Sequence, residues 1–307
     1  MFVCLNDLVD TLKLQYYASD VEKEKLSFNT YVEYFQNLKT EAQTIKSEDS
    51  QSRYKTTSLD GLTFRVMATS QRGFHVVLQN GDFTLSLRKM DDKNQNPIIK
   101  AEFRAEFLLR NGYKTAIKTV NNIVELMLKN YFIKVSEIHL AKDIQNYNFN
   151  ILDFYRLKTL KRNKQIFNQD TNLFYSGLKF TGFSIGKGDE MLRIYNKTFE
   201  IDKNKEKAFV QYLSWDINPD YDNSKTVWRI EFQLRRKKLK ELFSSWGVVE
   251  NLQSLLRSIS SIWDYLINTF VLKEMTIKEC QEIQSGYKMK DDEITILTFE
   301  AIKNPRY

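Results

Sequence analysis

Cysteine and proline are almost missing from this chain. Two cysteines in 307 residues, Cys4 and Cys280, supply neither a disulfide framework nor the paired spacing of a structural zinc site, so a reducing cytoplasm is the expected home. Three prolines and ten glycines exclude a collagen-like, proline-rich or low-complexity chain. No apolar run approaches the length of a membrane span or a signal core, so a soluble, unexported protein without a membrane partner is expected. What is present is ordinary for a globular protein, 42% hydrophobic and 28% charged. A chain of this length can bury a substantial core, as one large domain or one domain with appendages. Its net charge of +7 favours a polyanionic partner such as nucleic acid, although charge alone does not select one.

Periodicity sets out the elements. Leu5, Leu8, Val9 and Leu12, and again Tyr31, Val32, Phe35 and Leu38, have helical spacing, which predicts a two-helix appendage over residues 1–50, closed by the polar linker KSEDSQSRYK. Three β-rich runs between Leu62 and Leu87 are joined by Gly73 and by Asn80-Gly81-Asp82, an antiparallel meander with a strong hairpin signal. Alternation from Ile99 to Leu108 predicts a strand with Glu102, Arg104 and Glu106 on its polar side. A helix over 114–130 and a strand over 133–144 follow, the latter with Glu137, His139 and Asp143 on one face. After a basic helical segment at 156–164 and a strand over 173–180, residues 200–215 look helical. Val227 to Arg235 alternates once more, and apolar spacing turns helical from Lys237 onward. The expected divisions are 1–50, 51–240 and a helical 241–307.

The stretch TGFSIGKGDEMLRIYNKTFEI, 181–201, reads least like scaffolding. Gly182, Gly186 and Gly188 predict a turn, after which Leu192 and Ile194 alternate with Arg193, Tyr195 and Lys197. The glycines are not spaced as in a nucleotide-binding P-loop, which needs four residues between its glycines and then Lys-Ser/Thr. A phenol has a reference pKa of about 10 and needs nearby positive charge to act as a nucleophile near neutral pH. A tyrosine between two cations therefore suits attack on a phosphodiester. The same alternation also fits an ordinary strand with a solvated face.

An antiparallel sheet covered by helices on one side explains these amphipathic strands together: an α+β fold, a curved and mostly antiparallel sheet with helical N- and C-terminal segments. Its open face would gather Glu102 or Glu106, His139, Asp143, Arg193, Tyr195, Lys197, Arg229 and Glu231. Clustered carboxylates need a cation, and oxygen ligands of this kind suit Mg²⁺ or Mn²⁺. Asp143 and Glu231 lie on the polar side of their strands, so their removal is expected to leave the fold intact. Arg156, Lys158, Lys161 and Arg162, with Lys187, Arg229 and Arg235, are candidate phosphate contacts, and a merely solvated basic face accounts for the first four equally well.

The string GFSIGKGDEMLRIYNKTFE, followed by VWRIEFQLRRKKLK, resembles the replication initiation factor family, the rolling-circle initiators of plasmids and phages with related nicking proteins of conjugative transposons. The likeness runs from about residue 53 to 263 and is sharp only at 181–201 and 227–240. It implies that Tyr195, in an R-hydrophobic-Y-N-K segment, nicks DNA through a 5′-phosphotyrosine and leaves a free 3′-OH. It also implies metal ligands at Asp143 and Glu231, with Glu102 or Glu106 as the third. His139 stands where the family often has aspartate. Origin DNA, single-stranded or cruciform, would be the substrate, a host helicase and polymerase the partners, and a homodimer is allowed. The other large nickase class uses a His-hydrophobic-His pair, which His75 and His139 cannot form. The alternative is a non-catalytic DNA-binding protein of a mobile element. A tyrosine recombinase fits less well, because its tyrosine belongs to a helical domain.

Overall fold

The computed structural model describes residues 2–46, 49–91, 96–159, 171–268, 270–273 and 296–297. In chain order the elements begin with β1 (Val3–Ala18), α1 (Val21–Gln43), β2 (Tyr54–Leu59), β3 (Leu62–Met67), β4 (Val76–Gln79), β5 (Phe83–Leu87) and β6 (Ile99–Phe103). Next come α2 (Ala105–Asn111), α3 (Tyr113–Met127), β7 (Tyr131–Gln145), α4 (Ile151–Arg156), β8 (Leu157–Thr159), β9 (Thr171–Ser176), β10 (Lys179–Ile185) and β11 (Glu190–Asn196). The remainder is α5 (Lys197–Lys203), a 3-10 turn at Lys205–Ala208, a π-helical turn at Gln211–Trp215, β12 (Trp228–Arg235), α6 (Arg236–Ser245), α7 (Leu252–Asn268), β13 (Phe270–Lys273) and β14 (Ile296–Leu297). Among the described residues, eleven strands form one open sheet in the order β2-β3-β4-β5-β6-β1-β7-β12-β11-β10-β9, and β14-β13-β8 form a small second one. No helix among the described residues is long and apolar enough to cross a membrane.

The chain divides into two compact units, residues 1–8, 139–245 and 253–307 in one, and 9–138 with 246–252 in the other. In the second unit α1 starts at the N-cap Asp20, whose side chain accepts the Lys23 N–H, and carries Glu22 and Glu24 in its first turn, where the helix dipole favours acids. Phe28, Val32 and Phe35 then recur at helical spacing and are fully buried. Helix α3 buries Ala116, Val120, Ile123, Val124 and Met127 in the same way. The first unit has its own core, where Trp263 of α7 meets Phe232 of β12 edge-on, with ring centroids 5.4 Å apart.

Several local expectations are corrected. The helical reading of Leu5 to Leu12 fails, because this stretch is the front of the 16-residue strand β1. Buried positions fall at Leu5, Leu8, Val9, Leu12, Leu14 and Tyr16, so the inward parity slips at Leu8–Val9 and imitates a helical repeat. The linker reading near Lys55 missed β2, an edge strand that pairs with β3 across Asp60-Gly61, both at positive φ, as a two-residue hairpin turn demands. The strand expected over 99–108 stops at Phe103, and Glu106 lies in α2.

One buried carboxylate ties the second unit together. Glu24 accepts the backbone N–H groups of Lys129 and Asn130 at 3.0 Å each, and the Asn130 side chain at 2.6 Å. Replacing it with alanine removes the acceptor of all three hydrogen bonds, so Glu24→Ala should cost about 1–3 kcal/mol in urea unfolding. A midpoint equal to that of the parent would show that water satisfies these donors.

Candidate active site

The central feature of the first unit is the run of neighbours β7, β12 and β11. Antiparallel register sets Arg193 opposite Glu231 and Tyr195 opposite Arg229. Glu231, only 3% exposed, gathers the polar groups around it. Its Oε1 accepts Arg193 Nη1 at 2.8 Å and lies 3.0 Å from His139 Nδ1, while its Oε2 accepts the Tyr195 hydroxyl at 3.0 Å. Arg193 divides its fork, since Nη2 donates to Gln233 Oε1 at 2.9 Å. Burial works against the charge on Glu231, but the hydrogen bond and charge of His139, then Arg193 and Arg229, hold it well below the usual carboxylate range.

Asp143 is two residues nearer the end of β7 than Ala141 and wholly buried, as is Arg229. Arg229 Nε meets Asp143 Oδ1 at 2.6 Å and Nη2 meets Oδ2 at 2.8 Å, a bidentate pair. Oδ2 also accepts Asn6 Nδ2 at 2.7 Å and Trp215 Nε1 at 2.8 Å. Burial opposes this charge too, and Arg229 followed by Asn6 keeps the carboxyl below its ordinary value. Over this end of the sheet a small apolar cluster of Leu5, Ile201, Val210, Trp215 and Val227 closes off solvent.

A cavity of about 450 Å³ opens beside Tyr195, and Phe174, Arg193, Phe199, Lys203 and Glu231 are among its walls. Gly182 makes the approach of β10 to Tyr195 possible. It pairs with Tyr195, has φ +149°, and follows a register shift between Phe180 and Gly182 against β9. A Cβ here would come within 2.7 Å of Tyr195 Cα and overlap the Ile194 carbonyl oxygen, both of them backbone. Gly186 and Gly188, by contrast, form the β10–β11 turn, so only two of the three expected turn glycines turn the chain.

No protein-family model matches this chain, and no curated protein matches it. Among solved structures it is similar to a rolling circle replication initiator protein from Geobacillus stearothermophilus, with 13% identity over 89% of this chain and 88% of that one and a TM-score of 0.44. A likeness this slight assigns no role to any residue here.

The expected site residues separate into groups. Arg193, Tyr195, His139 and Glu231 come together. Lys197 is the first residue of α5 rather than the end of a strand, yet its Nζ is 5.6 Å from the Tyr195 ring centroid and 2.5 Å from Glu200. Arg229, expected on an open DNA-facing surface, is sealed against Asp143 and cannot reach a phosphate. Asp143 has four donors on its two oxygens, which leaves no room for a metal. Glu102 belongs to the second unit, bonded to Gln71 and Lys100, and Glu106 pairs on α2 with Arg110 at 3.5 Å. Lys187 and Arg235 are exposed. Lys161 and Arg162, and the side chains of Arg156 and Lys158, lie outside the described residues. Strand parity placed Asp143 on the correct side, but the cover supplied by Asn6 and Trp215, 137 and 72 residues away, has no local signal.

Two outcomes follow. Gly182→Ala should lower stability by about 1–3 kcal/mol through backbone overpacking and displace β11 at Tyr195. Unchanged melting and unchanged amide shifts along 192–196 would contradict that. Asp143→Asn leaves a buried guanidinium without its counter-charge and should cost about 3–5 kcal/mol at pH 7, contrary to the tolerance expected from parity. Because the folded carboxyl has a depressed pKa, its contribution is complete above the unfolded value of about 3.9 and is lost as pH falls through the folded one. The gap between parent and variant in urea midpoints should therefore narrow only below that pH, and a gap that stays constant into strong acid would exclude this ion pair as its source.

Proposed function

We propose that this chain nicks DNA with Tyr195 as the nucleophile. The observation that carries the reading is the hydrogen bond from the Tyr195 hydroxyl to Glu231, made at the wall of a cavity that Arg193 also lines. A nucleophile, an acceptor that orients its hydroxyl and a cation for the phosphate meet in one place. The phenolic oxygen, oriented by its hydrogen bond to Glu231, attacks the scissile phosphorus and gives up its proton to water. The bond to the 3′-oxygen breaks, that oxygen takes up a proton, and the 5′-phosphate remains on Tyr195. Arg193, with a third of its side chain exposed, offsets the charge that builds on the phosphate oxygens. The 3′-OH so released is a primer end, which agrees with the initiator-like sequence at 181–201 and 227–240.

His139 and Glu231 offer a nitrogen and a carboxylate oxygen 3.0 Å apart, a start for a divalent site. A mixed nitrogen and oxygen set favours Mn²⁺ over Mg²⁺, which prefers oxygen throughout. When bound, such an ion polarises the scissile phosphate.

The test is a denaturing gel of protein incubated with Mn²⁺ and a single-stranded oligonucleotide spanning the origin of the element that encodes it. The parent should form a covalent adduct. Tyr195→Phe should form none, yet keep its affinity for the oligonucleotide within about twofold, since only a hydroxyl is lost. Adduct of undiminished yield in Tyr195→Phe moves the nucleophile elsewhere, with the exposed Tyr175 of β9 next in line.

A further inference from the structure

In the second unit, register fixes which side chains share a face. Pairing of β1 with β6 joins Lys13 to Glu102 and Gln15 to Lys100, and β6 with β5 joins Glu102 to Thr84 and Lys100 to Ser86. The face continues through Gln79 of β4 to Arg65 of β3, and on to Thr56 and, at the same parity, Tyr54 of β2. The opposite face holds Leu14, Ile99, Ala101, Leu85, Leu78, Phe64 and Val66, all fully buried. On the polar face Thr56, Thr63 and Arg65 are exposed, while Gln71 covers Glu102 and the buried Ser86 near its middle.

Aromatic rings with cations above them stand at both ends of this face. Arg65 lies 4.7 Å from the Tyr54 ring centroid. Across five strand spacings of about 4.8 Å, roughly 24 Å in all, Tyr17 stacks on Phe132 at 5.0 Å with the planes 6° apart. Lys134 sits 5.0 Å and 5.3 Å from those two ring centroids, and Phe132 is 44% exposed. Beside Tyr54 is a cavity of about 610 Å³ whose walls include Arg65, Gln79 and Arg104. The two carboxylates on the face are both matched by lysines, Glu102 by Lys100 and Glu137 by Lys13, so Arg65, Arg104 and Lys134 make it cationic.

We propose that this polar face binds single-stranded nucleic acid, with bases stacked on Tyr54 and on the Tyr17–Phe132 pair and phosphates held by Arg65, Arg104 and Lys134. Stacking on exposed rings requires bases that are free of their own partners, which a duplex does not offer, and cations interleaved with rings suit an alternating base and phosphate chain. This surface belongs wholly to the second unit, and the proposal does not rest on the nicking reading.

The experiment uses the full chain carrying Tyr195→Phe, so that no covalent adduct forms, and measures anisotropy of fluorescent oligothymidylates of about 4 to 16 nucleotides. Adding Tyr54→Ala, Arg65→Ala and Phe132→Ala should weaken binding of the longest oligonucleotide at least tenfold with melting unchanged, as these side chains are partly or largely exposed. Crosslinking with 5-iodouracil in the same oligonucleotide should mark peptides that contain Tyr54, Tyr17 or Phe132. Affinity within twofold of the parent together with crosslinks confined to residues 139–245 overturns the proposal. So does an equal loss of affinity for a duplex of the same length, which would make the face a duplex-binding surface.

Discussion

The bidentate ion pair between Asp143 and Arg229 is the constraint on which the first unit is built. Two wholly buried charges are costly, and their attraction offsets the lost hydration only when the remaining hydrogen-bonding capacity is also met. Asn6 and Trp215 meet it on the carboxylate side. The pair locks β7 to β12, and since Arg229 is the register partner of Tyr195, it also fixes where the phenol stands along the sheet. A second charge pair lies close by in sequence, with Lys142 bonded to Asp7 at 2.6 Å and set over the Trp263 ring. The strands here are positioned by ionic contacts on both faces as well as by apolar packing.

Two carboxylates of similar strand position thus have different work. Asp143 is enclosed and saturated, and its chemistry is spent on Arg229. Glu231 is equally buried at its stem, but its oxygens face Arg193, His139 and the Tyr195 hydroxyl beside an open cavity. Sequence position alone would make them interchangeable. What separates them is the apolar cover of Val210, Trp215 and Val227 on one side and its absence beside the cavity on the other.

Much of this was legible without coordinates, and the failures share a cause. Strands β11 and β12 alternate strictly in sequence, so the face each residue takes follows from parity, and the hairpin at Asn80-Gly81 follows from its turn residues. Alternation says which side a residue takes but not what covers that side, so Arg229 was expected in solvent. Leu5 to Leu12 deceived because a parity slip in a strand places apolar residues at helical intervals. Glu106 and Lys197 each lie just past a strand end, where the backbone turns into a helix and alternation no longer applies.

The long strand β1 has a consequence for how this protein comes to be folded. Its partners in the sheet are β6 and β7, so Lys13 must await Glu102. Pairings this distant in sequence close large loops before they gain contact energy, which slows folding relative to a helical chain of equal size. During synthesis β1 would spend that interval with both edges open, a sixteen-residue template for pairing with another nascent copy. The adjacent α1, capped locally by Asp20, can form without any of this. A nascent chain of this protein is thus expected to depend on chaperone holding until β7 leaves the ribosome.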